Sequence, residues 1–279
     1  MHIPMEPIAV IGDIHGNQEA LDAVLQDIVK IQEIPAKNII CAGDIVGYGP
    51  DPDYCVETMQ ELNIPCIAGN HDVAVVRKDY PAAVLNPEAG ASLGWTRKRM
   101  KQRNKDFLAK LAPCIKTDDY ILVHGVLLDD MPETCEYDLA KIISSFYYIR
   151  TTLRKRGEAT VEPEEMFERM DKPLAFTAHS HEGLVISYPP VKYPDFERDD
   201  YINAEKLIVN VGSVGQPRDN DSRAGYVVWY PDRKEFRLIR VRYNNRITAQ
   251  KIKNTEKYEG KEQLIELPRS LALRLRKGE

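Results

Sequence analysis

The sequence predicts an α/β fold, and three features of its 279 residues support that class. The first third alternates short apolar runs with amphipathic stretches, which is typical of strand–helix–strand units. From residue 174 onward the pattern changes to short strands separated by turns. The composition, 43% hydrophobic and 29% charged, is that of a globular protein long enough to bury a large core.

Each element has its own signal in the sequence. The apolar run 7–12 predicts a buried strand, and a helix follows it because apolar residues repeat at helical spacing at Leu21, Val24, Leu25, Ile28 and Ile31. Further apolar runs predict strands at 38–43, 64–69, 120–124, 174–180, 183–188, 206–213, 224–230 and 235–243. Helices are predicted at 53–62, 86–112 and 266–279.

No internal repeat, low-complexity tract or linker interrupts the chain, so we expect one domain over residues 1–279. The segment 132–172 is charged and predicted to be a helical insertion. Such a segment could cap a site and select its substrate, or it could be a helical layer that covers the sheet.

Charge and targeting signals exclude several classes of protein. The formal net charge is −5 and the isoelectric point is about 5.8, which argues against nucleic-acid binding by bulk charge. The basic run 97–105 has no interleaved aromatic residues and is interpreted as a solvated helix face. No signal peptide or membrane span is readable. Five scattered cysteines without a C-x-x-C pair favour a reducing cytoplasm.

The histidines point to a functional site. Of six in the chain, five follow predicted strands and lie beside Asp, Asn or Gly, in the motifs GDIHGN, GNHD, LVHG and AHSH. In open α/β sheets, ligands bind beyond the carboxyl ends of the strands. A single histidine after a strand is usually structural, but five such placements indicate a shared site.

The spacing of these residues predicts that they converge. Side chains two residues apart in an extended segment point to the same side, so Asp13 lies with His15 and His179 with His181. Further polar side chains follow neighbouring strands, at Asp44, Asn70 and His124.

Carboxylate, imidazole and amide ligands without thiolates suit Mn, Fe, Zn, Co or Ni. Seven protein ligands are too many for one such ion and suit two ions that share a carboxylate. Two dications, two aspartates and one hydroxide would leave a net positive charge that attracts an anionic phosphate.

Together these motifs resemble those of the calcineurin-like metallophosphoesterases. The segments AGDIVGYGPDP, GSVGQPRD and LPRSLALRLRKG further resemble a bacterial group of predicted phosphodiesterases within that superfamily. The resemblance implies a four-layer αββα sandwich, in which two mixed β-sheets are flanked by helices. It also implies a hydrolase that cleaves phosphodiester, and possibly phosphomonoester, bonds with two divalent metal ions, Mn being favoured for activity.

The resemblance also assigns roles to individual residues. The first ion would be held by Asp13, His15, Asp44 and His181, and the second by Asp44, Asn70, His124 and His179, with Asp44 as the bridge. A hydroxide bridging the two ions attacks phosphorus. His71 is expected to face the leaving-group oxygen as general acid or electrostatic stabiliser rather than to bind metal. Asp72 would support His71 or cap a helix.

The sequence departs from the family pattern at three places. Ala178 replaces the glycine that usually precedes the paired histidines, which would add strain if the position requires a positive φ. Val211 follows Asn210 where the family usually has Asn-Pro-Gly-Ser. The protein Ser/Thr phosphatases carry an arginine shortly after the second Gly-Asp pair, where this chain has Gly47, Tyr48 and Gly49.

Three residues are candidate substrate contacts, each with a structural alternative. Arg218 could clamp a phosphate or form an internal pair in a turn. Tyr48 could stack on a nucleobase or pack against its own turn. Asn17 could contact phosphate or cap the helix that begins there.

The expected substrate is a small phosphoester or a nucleotide, in the cytoplasm and without a membrane partner; the oligomeric state is open. Alternatives within the enzyme class are a Ser/Thr-type protein phosphatase, a dinucleoside polyphosphate hydrolase and a nuclease. A non-enzyme alternative is a metal-binding scaffold of the same fold. His71 favours an enzyme, because a scaffold needs no histidine beside a complete ligand set.

Overall fold

The structure, a computed structural model, describes residues 6–81, 84–132, 134, 138–149, 160–190 and 204–254. The strands are β1 (Ile8–Ile11), β2 (Ile39–Cys41), β3 (Cys114–Lys116), β4 (Ile121–Val123), β5 (Tyr148–Ile149), β6 (Thr160–Val161), β7 (Leu174–Thr177), β8 (Gly183–Tyr188), β9 (Lys206–Val211), β10 (Ala224–Tyr230) and β11 (Glu235–Val241). The helices are α1 (Gln18–Gln26), α2 (Pro52–Glu61), α3 (Asn70–Val76), α4 (Pro87–Arg99), α5 (Gln102–Leu108), α6 (Leu139–Ser144), α7 (Pro163–Arg169) and α8 (Asn245–Lys253).

Most of the described strands form two mixed sheets. The first has the order β11-β10-β1-β2, in which β1 is parallel to β2 and antiparallel to β10. The second has the order β3-β4-β7-β9-β8, with β4, β7 and β9 parallel to one another. In both sheets the parallel strands are continuous apolar runs, as expected for strands that are covered on both faces.

Successive apolar residues of a strand point to opposite faces, and they contribute to three core layers. Between the sheets pack residues such as Val10, Leu122 and Phe176. The outer face of the first sheet buries Ile11 together with apolar residues of α1 and α2. The outer face of the second sheet buries Ile208 together with residues of α7. The layers are therefore helix, sheet, sheet and helix, which confirms the four-layer αββα sandwich.

The predicted strand at 64–69 is reduced to two isolated bridges. Cys66 pairs with Cys41 at the end of β2, and Ile67 pairs with Ala112. Pro65 has no amide hydrogen to donate to a ladder, and α3 begins at Asn70, so no room remains for a longer strand. The prediction of a strand here was wrong in extent, although the segment does follow the edge of the first sheet.

The predicted helix at 86–112 is broken into α4 and α5. The break falls at Met100, whose side chain is buried and whose backbone is extended. The amide of Lys101 donates to Asp53 Oδ1 at 3.0 Å instead of continuing the helical ladder. The basic run 97–105 is mainly surface, as expected, and it is tied to α2 through Glu57.

The segment 132–172 contains α6 and α7 in its described part, and it also contains the short parallel pair β5 and β6, which was not predicted. The predicted helix 266–279 lies outside the described residues. In the described part of the chain, no helix combines the length and apolarity needed to cross a membrane.

Candidate metal centre and cleft

Left-handed backbone marks the loops that follow β1, β2 and β7. Asp13, His15, Asp44, His179 and His181 have φ values of 49°, 51°, 54°, 67° and 61°. Residues other than glycine adopt this region uncommonly, Asp and His more often than most, and such strain persists only where the surroundings fix it. The loops therefore turn these five side chains inward at an energetic cost.

Hydrogen bonds between the loops hold this conformation. The amide of Asp13 donates to Gly43 O at 3.0 Å, and that of His15 donates to Asp44 O at 2.9 Å. The amide of Ala178 donates to His124 O at 2.9 Å, which joins the loops after β7 and β4. Ala178 itself is outside the left-handed region, so the strain considered for it is absent.

Asp13 lies at the centre of three imidazoles. Its Oδ2 accepts from the amide of His179 at 3.0 Å, while its buried Oδ1 has no hydrogen-bond partner among the described residues. Around Oδ1 lie the Nε2 atoms of His181, His15 and His124, at 3.6, 3.9 and 4.0 Å. A buried carboxylate oxygen without a donor is costly unless a cation satisfies it.

The tautomers of these three histidines follow from their other ring nitrogen. His15 Nδ1 donates to Val46 O at 3.1 Å, His124 Nδ1 to Ala42 O at 2.8 Å, and His181 Nδ1 to Gln216 O at 2.6 Å. A carbonyl only accepts, so in each neutral ring the lone pair is on Nε2. Metal-binding histidines commonly use their second nitrogen in this way.

The Nε2 atoms of His15 and His181 are 3.1 Å apart. Burial is the main reason that the pKa of each ring lies well below its ordinary value, with further lowering of His181 by Arg218. Both rings are therefore neutral, and two lone pairs face each other. A cation between them removes this repulsion.

Asp44 links this group to a second one. Its Oδ2 is 3.3 Å from His124 Nε2 and 3.7 Å from His15 Nε2, and its Oδ1 accepts from the amide of His71 at 2.8 Å. Asn70 Oδ1 is 3.2 Å from His124 Nε2. One oxygen of Asp44 therefore lies beside ring nitrogens of both His124 and His15.

Burial disfavours ionisation of both Asp13 and Asp44, but neighbouring charges move their pKa values in opposite directions. Burial and the nearby charge of Asp44 raise the pKa of Asp13 to about 7, although His124 opposes this. Burial also disfavours ionisation of Asp44, but the charges of His124 and His71 hold its pKa below the ordinary value. Burial lowers the pKa of His124, but the charge and hydrogen bond of Asp44 together with the charge of Asp13 outweigh it, so the pKa is raised to about 9. Without a cation, protons therefore partly balance this cluster.

Three groups of side chains could each hold an ion, since their ligand atoms lie within 4.8 Å of one another. They are Asp13 with His15 and His181, Asp44 with His124 and His179, and His15 with Asp44 and His71. Asp44 thus belongs to two groups. The seven predicted ligands do come together, and their oxygen and nitrogen donors fit a divalent metal.

His71 is buried beside the cluster. Its ring centroid is 4.8 Å from that of His15 and 4.6 Å from that of Tyr48. A Cβ added to Gly47 would lie 2.2 Å from His71 Nδ1, and Gly47 has φ +94°. Position 47 is therefore glycine because His71 occupies the space that a side chain would need.

Asp72 is fully buried and braces the backbone. Its Oδ2 accepts from the amide of Gly69 at 3.0 Å and its Oδ1 from the amide of Val46 at 3.2 Å. Both oxygens are used on main-chain donors, which favours the capping alternative for Asp72. Burial and the charge of Asp44 raise its pKa to about 7.

A cleft of about 470 Å³ opens above the cluster. Its floor includes Asp44, Asn70, His71, His179 and His181. Its walls are rich in aromatic and apolar side chains, which come from the loop between α3 and α4 and from the segment 132–172: Tyr80, Val84, Leu85, Ile143, Phe146, Tyr147 and Tyr148. Tyr48 and Arg218 also line it.

Comparison with known proteins identifies the family. The family described as calcineurin-like phosphoesterase matches residues 6–207, which is most of the chain. The chain belongs to the calcineurin-like phosphoesterases. This family is metal-dependent, and the aspartate–histidine clusters could hold a metal ion.

Relatives of this phosphoesterase cover nearly the whole chain. An uncharacterised protein of Methanocaldococcus jannaschii is 34% identical over 261 residues, covering 88% of this chain and 91% of its own. A metallophosphoesterase from Sphaerobacter thermophilus has a TM-score of 0.70 and 27% identity, covering 98% of this chain and 99% of its own. A hypothetical protein from Pyrococcus horikoshii OT3 shares the fold, with a TM-score of 0.61, 17% identity and coverage of 95% and 98%.

The three predicted substrate contacts of the phosphoesterase have different surroundings. Arg218 and Tyr48 line the cleft, with the guanidinium carbon 5.8 Å from the Tyr48 ring centroid. Asn17 lies outside the cleft lining. It is buried at the N-terminus of α1, where its Oδ1 accepts from the amide of Ala20 and its Nδ2 donates to Gly215 O at 2.9 Å. The structure therefore favours its capping alternative.

Sequence reasoning missed the aromatic walls of the cleft. Tyr147 and Tyr148 lie in the segment 132–172, and Tyr80 follows α3. None of these tyrosines belongs to a recognised sequence motif. The only available signal was the run SFYY within a charged segment, which suggests aromatic side chains with a specific use.

Proposed function

We propose that this chain is a metal-dependent phosphodiesterase that binds two divalent ions, with Mn favoured for activity. The observation that supports this most strongly is that Asp44 Oδ2, at the floor of an open cleft, lies 3.3 Å from His124 Nε2 and 3.7 Å from His15 Nε2, one ligand from each proposed set. Two such ions would supply Lewis-acid activation of both the ester and a water molecule. The ligands would be the seven residues identified above, with Asp44 shared.

Two side chains outside that ligand set have proposed roles on the substrate. Arg218 donates from its guanidinium to a non-bridging phosphoryl oxygen and so neutralises charge at the cleft wall. His71 faces the cleft beside Asp44, where it protonates or stabilises the leaving-group oxygen. Asp72 acts indirectly, because it fixes the start of α3 and thereby the position of His71.

The proposed substrate is a small phosphodiester or a nucleotide. The cleft volume lies within the range of roughly 300–1,000 Å³ that is usual for small-ligand pockets. A phosphatase that acts on the surface of a protein does not require such a pocket. Gly47 also leaves no room at that position for the arginine of the protein phosphatases. The cytoplasm is the proposed compartment, since Cys41, Cys55, Cys66 and Cys114 are free thiols.

The test is turnover of bis-p-nitrophenyl phosphate against p-nitrophenyl phosphate, using metal-stripped protein titrated with Mn²⁺. We expect metal-dependent hydrolysis with a higher kcat/KM for the diester. Preference for the monoester would replace the proposal with a phosphatase. Two bound ions without turnover of either ester would favour the scaffold.

A further inference from the structure

The cleft is larger than a phosphoryl group requires, and its floor and its walls differ in chemistry. The floor holds the polar cluster around Asp44, whereas the walls carry aromatic rings. Tyr147 remains 37% exposed. An exposed aromatic surface next to a charged site favours a ligand that is apolar at one end and anionic at the other.

The aromatic wall has a defined orientation. The ring of Tyr148 stacks on that of His179, with centroids 4.2 Å apart and planes at 22°. Tyr147 adjoins it in sequence, and Phe146 packs edge-on to His124 at 5.7 Å. The segment 132–172 thus contributes three successive rings to the cleft, and two of them, Phe146 and Tyr148, pack on histidines of the proposed ligand set.

The same wall is close to the proposed phosphate contact. Arg218 lines the same cleft as Tyr48, Tyr147 and Tyr148, and its guanidinium carbon lies 5.8 Å from the centroid of the Tyr48 ring. A phosphoryl group held by Arg218 would leave its organic substituent in the cleft that Tyr147 and Tyr148 line. Tyr80 and Leu85 line the cleft from the loop between α3 and α4.

We propose that Tyr147 and Tyr148 form a subsite for a planar base, which makes a nucleoside phosphoester the substrate class of this enzyme. This inference rests on the proposed phosphodiesterase function and deepens it. Stacking of one base on an aromatic side chain corresponds to roughly 5- to 150-fold in affinity. The two tyrosines are specificity-determining residues in this scheme, and they take no part in the chemical step.

The test compares two inhibitors that differ only in the base. Inhibition constants of AMP and ribose 5-phosphate are measured against hydrolysis of bis-p-nitrophenyl phosphate by the Mn²⁺-loaded protein. We expect AMP to bind at least about fivefold more tightly. Tyr147→Leu and Tyr148→Leu should bring the ratio toward one while inhibition by inorganic phosphate is unchanged. Tyr148→Phe, which keeps the ring, should retain the wild-type ratio.

The matched control is Tyr188→Leu, an equally conservative loss of an exposed tyrosine at the far end of β8, where the ratio should not change. Manganese content of every variant is measured, because Tyr148 contacts His179. An AMP to ribose 5-phosphate ratio near one in the wild type overturns the subsite, as does a ratio that survives both leucine variants. If the diester is not hydrolysed, the phosphodiesterase proposal fails, and the same ratio is then measured as direct binding by calorimetry.

Discussion

At the scale of single residues, the site is built on unfavourable backbone. Five of the proposed ligands and Tyr48 are left-handed, and each such residue costs on the order of 1 kcal/mol or more. In this conformation, side chains from separate loops converge closely enough to share a bound ion. His15 is the clearest case, because its ring contacts His181, His71 and Tyr48 at once.

His71 provides the test of chemistry at this scale. We expect His71→Ala to retain its bound Mn²⁺ and to lose on the order of 10²–10⁴ in kcat, the usual contribution of a general acid. Metal content and kcat are measured on the same preparation. Loss of metal on substitution would show that His71 is a ligand, as its grouping with His15 and Asp44 would allow.

The convergence of Asp13, His15 and Asp44 could be predicted, because they follow β1 and β2, which are parallel and end at one edge of the first sheet. His124 follows β4 of the second sheet, so its place beside them also depends on how the two sheets pack. The position of Asn17 outside the cleft could not be predicted. Its bonds go to Gly215 and to Thr248, more than 190 positions away in the chain. Long-range contacts of this kind leave no local pattern in a sequence.

At the scale of elements, Glu57 links α2 to α5 and the residue that precedes it through hydrogen bonds. Its carboxylate accepts from Lys101 Nζ at 2.8 Å, Arg103 Nη2 at 2.7 Å and Asn104 Nδ2 at 3.1 Å. Hydrogen bonds from Lys101, Arg103 and Asn104 lower its pKa to about 2, from an ordinary value of 4.5. These interactions are largely solvated, so their stabilisation is about 0.5–1 kcal/mol.

A carboxyl group whose pKa is lower in the folded than in the unfolded state stabilises the folded state at pH values above its unfolded-state pKa. This stabilisation is lost as the pH falls through the folded-state pKa. Glu57→Gln should therefore lower the free energy of unfolding by about 0.5–1 kcal/mol at pH 7. The difference from wild type should shrink between pH 4.5 and about 2. Urea denaturation across this range measures it, with Glu61→Gln on the same helix as control. A difference independent of pH would mean that the charge is not responsible.

Elements were predictable where an apolar run determined them. The runs KLIVNV and AGYVVWY are continuous and largely apolar, and β9 and β10 were predicted as strands from these runs. The break between α4 and α5 was not predictable, since no Pro or Gly marks Met100. It results from the burial of that side chain and from the bond of Lys101 to Asp53.

At the scale of the whole molecule, the proposed ligands join the two sheets. Asp13 and Asp44 follow strands of the first sheet, whereas His124 and His181 follow strands of the second. A bound ion would therefore stabilise the packing of one sheet on the other, because the folded state alone brings these ligands together.

We expect Mn²⁺ at about 100 times its Kd to raise Tm by roughly 5–10 °C over metal-stripped protein. Asp44→Asn should reduce that shift and the metal content together, since it removes a shared charge. Calorimetry with and without chelator measures the shift. An equal shift in wild type and Asp44→Asn would place the stabilising ion elsewhere.

The imidazole bonds to Val46, Ala42 and Gln216 all end on main-chain carbonyls. Every amino acid carries a carbonyl, so replacing any of these three residues leaves the acceptor in place as long as the backbone keeps its course. The orientation of the ligand rings is thus buffered against point mutation. Cleft-lining residues such as Tyr147 have no such protection, and descendants of this chain can exchange them to acquire new specificities while the metal chemistry is inherited intact.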